Sequence, residues 1–276
     1  MITVLRAGPL TTVQDLGRPG FAHLGVPRSG ALDQPALRRA NALVGNDPSA
    51  AALETTLMGC RLRLDAPATI AVTGATCTVK IDGRPVVGPV DVPAGAVVEI
   101  GRAVAGVRSY VAVAGGIDVE PVLGSRSTDT LSGLGPPRLT DGQTLAVGGR
   151  VSTGPSDVAG PGVVERPGIV LGVWVGPRDE WVEVAGLFED AYAVSPVSNR
   201  VACRLAGTAL SRTRAGELPP EGLVLGGIQV PPDGQPLIFL ADHPTTGGYP
   251  VVGVVDDVTP LAQARPGTSV RFRELH

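Results

Sequence analysis

Turn-forming residues interrupt this chain so often that only short elements fit between them. Its 276 residues include 38 glycines and 26 prolines, which are spread along the chain without a fixed period. Both residues are poorly tolerated inside helices and central strands, and both are typical of turns. The runs between them are short and rich in β-branched residues, as at Val97–Ile100 and Val251–Val255. The sequence therefore predicts a mainly β protein built from many short strands.

One turn pattern recurs in both halves of the chain. Segments 93–101, 140–148 and 265–273 each place a glycine ahead of an alternating strand, and segment 231–240 is a looser copy. This recurrence favours two related β-domains, although such turns also recur in unrelated all-β proteins. The predicted strands lie at 62–64, 69–73, 77–81, 97–100, 109–113, 169–175, 181–184, 201–205, 223–230, 236–240, 251–255 and 269–272.

Helical patterns are few. Segment 33–45 combines an Asp33 N-cap, a first-turn proline and a closing glycine, which predicts one helix. Shorter helical turns are predicted at 47–53 and near 187–192. The stretch 149–167 is rich in glycine, proline and serine, so we place a domain boundary there, with an N-terminal domain at 1–155 and a C-terminal domain at 156–276.

Composition and missing motifs exclude several functions. The net charge is −3 and no basic run occurs, which argues against nucleic-acid binding. There is no phosphate-binding P-loop, no HExxH and no serine nucleophile elbow, and the three histidines lack metal-ligand spacing. The three cysteines show no CxxC, so we expect them to be reduced. With no leader pattern and no run of about 18 apolar residues, we expect a cytoplasmic protein.

The stretch ADHPTTGGYP at 241–250 carries more special residues than a turn needs. It follows an apolar strand, and the preceding hairpin is expected to deliver it to one end of a barrel. Gly247 and Gly248 permit positive φ and close approach of the backbone to a ligand. Hydroxyls and an aromatic ring add polar contacts. The candidate substrate-binding residues of this hairpin and loop are Gln229, His243, Thr245, Thr246, Gly247, Gly248 and Tyr249.

A second candidate is the glycine-dense loop 11–33, which precedes the predicted helix. Arg28, Ser29 and Asp33 are its candidate substrate-binding residues, because backbone N–H groups near a helix N-terminus favour an anion. The alternative is a structural loop with an ion pair between Asp15 and Arg18. Segment 124–130 is a weaker candidate that a capped turn explains equally well, and for segment 195–205 a capped turn entering a strand is the favoured interpretation.

Four separated motifs resemble one known family, and together they cover nearly the whole chain. They are VQDLGRPGFAHLGVPRSGALD, RRAN, AVAGGIDVEPVLGSRSTDT and IQVPPDGQPLIFLADHPTTGGYP. The chain is identified as a member of the KipA-type family, which includes the C subunit of bacterial 5-oxoprolinase and is also called allophanate hydrolase subunit 2 or a biotin-dependent carboxyltransferase family. The resemblance implies two cyclophilin-like β-barrel domains with a few short helices.

The resemblance also implies an activity and partners. With a KipI-type B subunit and a separate A subunit of 5-oxoprolinase, the complex opens 5-oxoproline (pyroglutamate) to glutamate and uses ATP, for which no site is identified in this chain. One alternative is a carboxyltransferase that moves a carboxyl group from carboxybiotin to urea or another small amide. Another is a KipA-like regulator that binds a kinase inhibitor. No catalytic residue or metal is assigned, and a partner is expected to complete the site.

The implied substrate suggests roles for the candidate residues. 5-Oxoproline carries a carboxylate and a lactam. Arg28 with Ser29 is expected to hold the carboxylate, and the amides of Gly247 and Gly248 are expected to polarise the lactam oxygen. Relatives often carry an Asp–Arg–Met–Gly-like run where this chain has SNRVACRL, so an acid–base role at Asn199 is in doubt.

Overall fold

The computed structural model describes residues 1–149 and 168–276, and the chain divides into two compact units. The first unit comprises Met1–Arg18, Ser29–Asp129 and Gly133–Glu165. The second comprises Pro19–Arg28, Thr130–Ser132 and Arg166–His276. The predicted boundary at 155/156 lies outside the described residues. The mainly β prediction is confirmed, because strands dominate both units.

The strands of the first unit form two antiparallel sheets. One has seven strands in the order β11-β12-β1-β4-β9-β6-β7, and the other has five in the order β2-β3-β10-β5-β8. The strands are β1 (Ile2–Arg6), β2 (Thr11–Gln14), β3 (Ala52–Thr56), β4 (Arg61–Leu64), β5 (Ala68–Thr76), β6 (Val79–Ile81), β7 (Arg84–Val86), β8 (Val90–Val92), β9 (Val97–Ile100), β10 (Ala105–Val113), β11 (Ile117–Asp118) and β12 (Thr144–Val147).

The two sheets share one core, to which β4 contributes in a regular alternation. Leu62 and Leu64 are buried, whereas the arginines beside them are exposed. The helix α1 (Gln34–Leu43) packs on the other face of the five-stranded sheet through Leu37 and Ala40. Strand β10 is therefore buried on both faces, which explains why its residues are almost all apolar or small.

The helix matches its prediction closely, but the next predicted helical turn is wrong. The Asp33 carboxylate accepts a hydrogen bond from the Ala36 N–H at 3.0 Å, and the chain leaves the helix at Gly45 with φ of 75°. The Asp47 carboxylate then caps a turn by accepting from the Ser49 N–H and hydroxyl, and β3 begins at once. A capped turn and a helix start share the same Asp–Pro signal.

The second unit contains a closed seven-stranded barrel in the order β13-β20-β17-β18-β15-β14-β21, and β13 and β21 close it as a parallel pair. The helix α2 (Gly186–Glu189) is a single turn. A separate ladder joins β16 to β19. The strands are β13 (Gly168–Val175), β14 (Tyr192–Val194), β15 (Ala202–Ala206), β16 (Glu221–Gly222), β17 (Gly227–Gln229), β18 (Leu237–Phe239), β19 (Thr246–Gly247), β20 (Val251–Val255) and β21 (Ser269–Glu274).

The recurring turn glycines all have left-handed backbone. Gly95, Gly142 and Gly267 have φ of 80°, 84° and 85°, and each lies two residues before a strand. A Cβ at any of the three would meet nothing within 4 Å, so the backbone conformation and not lack of space favours glycine.

The predicted strand at 181–184 is wrong: Asp179–Trp181 is a 3-10 turn, and Val182 makes an isolated bridge to Arg212.

Among the described residues, no helix is both long enough and apolar enough to cross a membrane.

Candidate functional site

The loop 241–250 of the second unit is anchored by a buried ion pair at its base. Arg200 and Asp242 are 1% and 0% exposed, and the guanidinium donates to both carboxylate oxygens at 2.9 Å. The backbone N–H and the hydroxyl of Thr130 also donate to Asp242, at 3.0 and 2.6 Å. Four hydrogen bonds to one buried carboxylate fix where the loop leaves β18.

His243 follows this anchor and is buried. Its Nδ1 lies 2.7 Å from the Pro244 carbonyl oxygen, and its ring lies 5.8 Å from the Phe239 ring. A carbonyl only accepts, so Nδ1 carries the proton in that contact. The imidazole is therefore oriented by the protein itself.

The glycines of the loop do not have the conformation that their sequence suggests. Neither Gly247 nor Gly248 has positive φ, so that expectation is wrong. Close packing accounts for both: a Cβ on Gly247 would lie 2.9 Å from Leu223 Cδ1, and one on Gly248 would lie 3.0 Å from the Leu218 carbonyl oxygen. Gly247 also pairs with Glu221 in the β16–β19 ladder.

The other predicted residues of this loop differ in exposure. Gln229 is buried on β17, and its Nε2 donates to the Tyr249 carbonyl at 3.0 Å, which ties the loop to the barrel. Thr246 is exposed, whereas Thr245 and Tyr249 are half-buried. The structure thus brings Gln229, Gly247 and Tyr249 together and leaves the Thr246 side chain at the surface.

Sequence reasoning missed a partly exposed ion pair beside this loop. Arg178 Nε lies 3.2 Å from both carboxylate oxygens of Glu221, and its Nη2 makes a further close contact with Oε1. The hydrogen bond from Arg178 lowers the pKa of Glu221. Glu221 stands opposite Gly247 in the ladder, so the pair borders the predicted loop. The partners are 43 residues apart, and no local pattern connects them.

Arg28 belongs to the second unit, together with the loop 241–250. Its side chain is half-buried, and within residues 1–149 and 168–276 it forms no ion pair. A partly accessible guanidinium with no carboxylate bound to it is suited to binding an anionic ligand.

Ser29 and Asp33 belong to the first unit and lie in buried networks. The Ser29 hydroxyl accepts from Arg18 Nη1 at 3.0 Å and donates to Asp129 Oδ2 at 2.7 Å. Arg18 is 1% exposed and also donates to the carbonyls of Val122 and Ser127. Ser29, with φ of 51°, is held by these contacts in a conformation that few non-glycine residues adopt.

The same network joins the two polar loops of the first unit. The Asp15 carboxylate accepts hydrogen bonds from the hydroxyls of Ser125 and Ser127 at 2.6 and 2.5 Å, and from the N–H groups of Arg126 and Gly17. The structural alternative predicts a local ion pair between Asp15 and Arg18. Asp15 instead bonds to residues that lie about 110 positions further along the chain. Segments 11–33 and 124–130 form one scaffold.

The backbone N–H groups just before α1, where the sequence predicts an anion site, donate hydrogen bonds within the protein. The Ala31 N–H donates to the Asp15 carbonyl, the Leu32 N–H to the Glu54 carboxylate and the Asp33 N–H to the Tyr110 hydroxyl. The Asp33 carboxylate itself caps the helix. The Tyr110 hydroxyl donates to Glu54 at 2.7 Å, and burial raises the pKa of Tyr110 well above its usual range. The donors that an anion needs already have partners.

Segment 195–205 is a capped turn, as its simpler interpretation predicts. The Asn199 side-chain oxygen accepts from the N–H groups of Val201 and Ala202, at 2.8 and 3.2 Å, and β15 follows.

Cys60, Cys77 and Cys203 are free thiols, and burial raises the pKa of Cys60 to about 12. Within the described residues, no cluster of His, Cys, Asp and Glu is arranged to hold a metal ion.

Comparisons with known proteins place this geometry in one family. A family model described as carboxyltransferase domain, subdomain A and B, matches residues 24–274. The chain therefore belongs to this carboxyltransferase family, and the resemblance drawn from its motifs is confirmed. It is 41% identical over 286 residues to the C subunit of 5-oxoprolinase from Escherichia coli (strain K12), a match that covers 99% of this chain and 90% of that protein.

Two longer proteins also contain a region similar to this chain. Urea amidolyase of Saccharomyces cerevisiae is 32% identical over 99% of the chain, which spans 16% of that protein. The crystal structure of Kluyveromyces lactis urea carboxylase is 29% identical with a TM-score of 0.92, and the match covers all of this chain and 27% of that one. The family fold thus occurs both in a protein of similar length and inside much larger enzymes.

Proposed function

We propose that this chain is the C subunit of a 5-oxoprolinase, an enzyme complex that hydrolyses the lactam of 5-oxoproline to give glutamate with hydrolysis of ATP. The observation that supports this most strongly is the 41% identity to the Escherichia coli protein, which extends over 90% of its length. The chain acts with the KipI-type B subunit and with the A subunit of 5-oxoprolinase. It is cytoplasmic, and it hydrolyses the lactam only as part of that complex.

The substrate's carboxylate binds Arg28 in this proposal. 5-Oxoproline carries one negative charge, and a guanidinium recognises a carboxylate through two parallel hydrogen bonds. Arg28 is half-buried in the same unit as the loop 241–250. Ser29 is less suited to this role, because its hydroxyl already bonds to Arg18 and Asp129.

The lactam end of the substrate binds at the loop 241–250. The Gly248 N–H has no hydrogen-bond acceptor among the described residues, whereas Gly247 lies within a ladder. A backbone N–H directed at the lactam oxygen would stabilise the charge that develops there when water attacks the carbonyl carbon. The exposed Thr246 hydroxyl and Tyr249 border this position.

ATP enters the proposal as a co-substrate of the complex, and no residue of this chain is assigned to bind it. The second candidate function is carboxyl transfer from carboxybiotin to urea or another small amide, and biotin belongs to that alternative alone. The family description and the similarity to urea amidolyase favour this second candidate. The coverage favours the first, because the chain matches 90% of a 5-oxoprolinase protein and 16% of urea amidolyase.

Reconstitution distinguishes the two functions. The chain is co-purified with the A and B subunits, and glutamate release from 5-oxoproline is measured with and without ATP. A parallel reaction supplies urea, bicarbonate, ATP and a biotinylated carboxylase, and measures urea carboxylation. Glutamate release that needs ATP and this chain supports the first function. Urea carboxylation without glutamate release would replace it with the second.

A further inference from the structure

The outer face of the barrel at β13 and β21 carries an apolar surface that the fold leaves open. Along β13, Leu171 and Val173 point into the barrel core, whereas Val170 and Trp174 are 65% and 53% exposed. A strand presents alternate residues to opposite faces, so both exposed side chains lie on the outer face. Tryptophan is rarely so accessible, and exposed aromatic residues are enriched at protein interfaces.

Two arginines lie beside this apolar surface. On β21, Arg271 stands opposite Val170 and Arg273 stands opposite Gly172, while Val270 and Phe272 point inward. Both arginines are exposed, and neither forms an ion pair within the part of the chain that the structure describes. The Asp256 carboxylate lies on the same face, because it accepts a hydrogen bond from the Gly172 N–H at 3.1 Å and its Oδ2 would be 2.6 Å from a Cβ on Gly172. The face therefore carries two arginines and one carboxylate.

The other tryptophan of the chain shows how this fold covers an aromatic ring. The guanidinium carbons of Arg212 and Arg214 each lie 5.8 Å from the centroid of the Trp181 ring, and Trp181 is half-buried. No comparable ring contact covers Trp174 among the described residues. These residues form the β13–β21 face, which combines an exposed aromatic residue with two arginines that make no ion pair among the described residues: Val170, Trp174, Arg271 and Arg273.

We propose that the β13–β21 face docks a protein partner whose contact surface places carboxylates around an apolar centre. Charge complementarity indicates the partner's chemistry, because the two arginines outnumber the one carboxylate, Asp256, and so favour acidic side chains on the partner. Tryptophan and arginine are also the residues that most often dominate binding energy at interfaces. This inference rests on the proposed function, and the partner is one of the other two subunits of the 5-oxoprolinase complex.

Isothermal titration calorimetry of the full chain with each of the two purified partners tests the inference. The variants are Trp174→Ala and the double reversal Arg271→Glu with Arg273→Glu. We expect each to weaken Kd for one partner about tenfold or more. The matched control is Arg204→Glu, which reverses an exposed arginine on β15, three strands from β13 around the barrel. It is expected to change Kd by less than about threefold.

Each possible result either supports or overturns the inference. Weakening by the face variants, with the control and the circular dichroism spectra unchanged, supports the inference. Unchanged Kd in the face variants with both partners overturns it and leaves the proposed function intact. A wild-type chain that binds neither partner overturns both. If sedimentation shows that the chain alone dimerises and that the reversal abolishes the dimer, a second copy occupies the face and the proposed hetero-interface is wrong.

Discussion

Each unit of the molecule contains an arginine that is only 1% exposed, Arg18 in the first and Arg200 in the second, and the two arginines serve different loops. Arg18 donates to the Ser29 hydroxyl and to two backbone carbonyls, and so belongs to a network that encloses the polar residues around it. Arg200 forms a bidentate pair with Asp242 at the base of a loop whose far half stays accessible. A polar, glycine-dense stretch is therefore a scaffold in the first unit and a candidate binding loop in the second.

The largest effect is expected from Asp242→Ala. The substitution leaves the buried Arg200 guanidinium without its carboxylate and removes the acceptor of two bonds from Thr130, so we expect a loss of about 3–5 kcal/mol in the free energy of unfolding. Urea denaturation measures it. Asp65→Ala, which breaks the exposed pair with Arg63, is the control and should cost less than about 1 kcal/mol. Equal losses in the two variants would show that the buried pair does not anchor the loop.

Asp15→Ala tests the scaffold of the first unit. Its carboxylate accepts four hydrogen bonds, of which three join it to residues 125–127 and one comes from the Gly17 N–H, so we expect a loss of about 3 kcal/mol in the free energy of unfolding. The same urea experiment measures it. The fraction that remains folded should keep its KM for 5-oxoproline, because this network holds no substrate in the proposal. A raised KM with unchanged stability would contradict this prediction, because the Asp15 network would then belong to the substrate site and would not be a scaffold.

Arg28→Ala is expected to affect activity instead of stability. Loss of a charge-assisted contact to the substrate's carboxylate should raise KM for 5-oxoproline about tenfold or more, whereas the unfolding free energy should change by less than about 0.5 kcal/mol. Steady-state glutamate release by the reconstituted complex measures KM. Arg38→Ala, at an exposed position on α1, is the control. An unchanged KM in Arg28→Ala would remove Arg28 from the site.

The smallest effect is expected from Glu221→Gln, and it depends on pH. The hydrogen bond from Arg178 lowers the pKa of Glu221 below its ordinary value of 4.5. The folded state therefore holds the proton less tightly than the unfolded state, so this pair stabilises the fold above about pH 4.5 and its contribution is lost as pH falls further. The variant should lose less stability than wild type between pH 7 and about pH 3.5. The measurement is the change in Tm between the two pH values. An equal fall in Tm for the variant and for wild type would contradict the prediction.

Local signals in the sequence predict the helix α1 and just over half of the observed strands. The glycines before β9, β12 and β21 were recognised because a left-handed turn leaves a local signature, and the Asp33 cap because a helix start does. Strands β1, β2 and β3 were not predicted. In β2 the four residues TTVQ are all buried and mostly polar, so the alternation that marks a half-buried strand is missing.

The candidate site is harder to predict from the sequence, because contacts between distant segments determine which side chains are available to a ligand. Whether Ser29 and Asp33 are available to a ligand depends on Asp129 and Tyr110, which lie far along the chain. Residue types and spacing cannot show which hydrogen-bonding groups already have partners. For the same reason, the sequence does not predict the Arg178–Glu221 ion pair.

The most direct test of the central claim is a titration of this chain into fixed amounts of the A and B subunits of 5-oxoprolinase, with ATP-dependent glutamate release from 5-oxoproline as the readout. The rate is expected to be near zero without the chain, to rise with its concentration and to saturate when the complex is complete. A rate that is the same with and without the chain, or no release from the intact three-component complex, would contradict it.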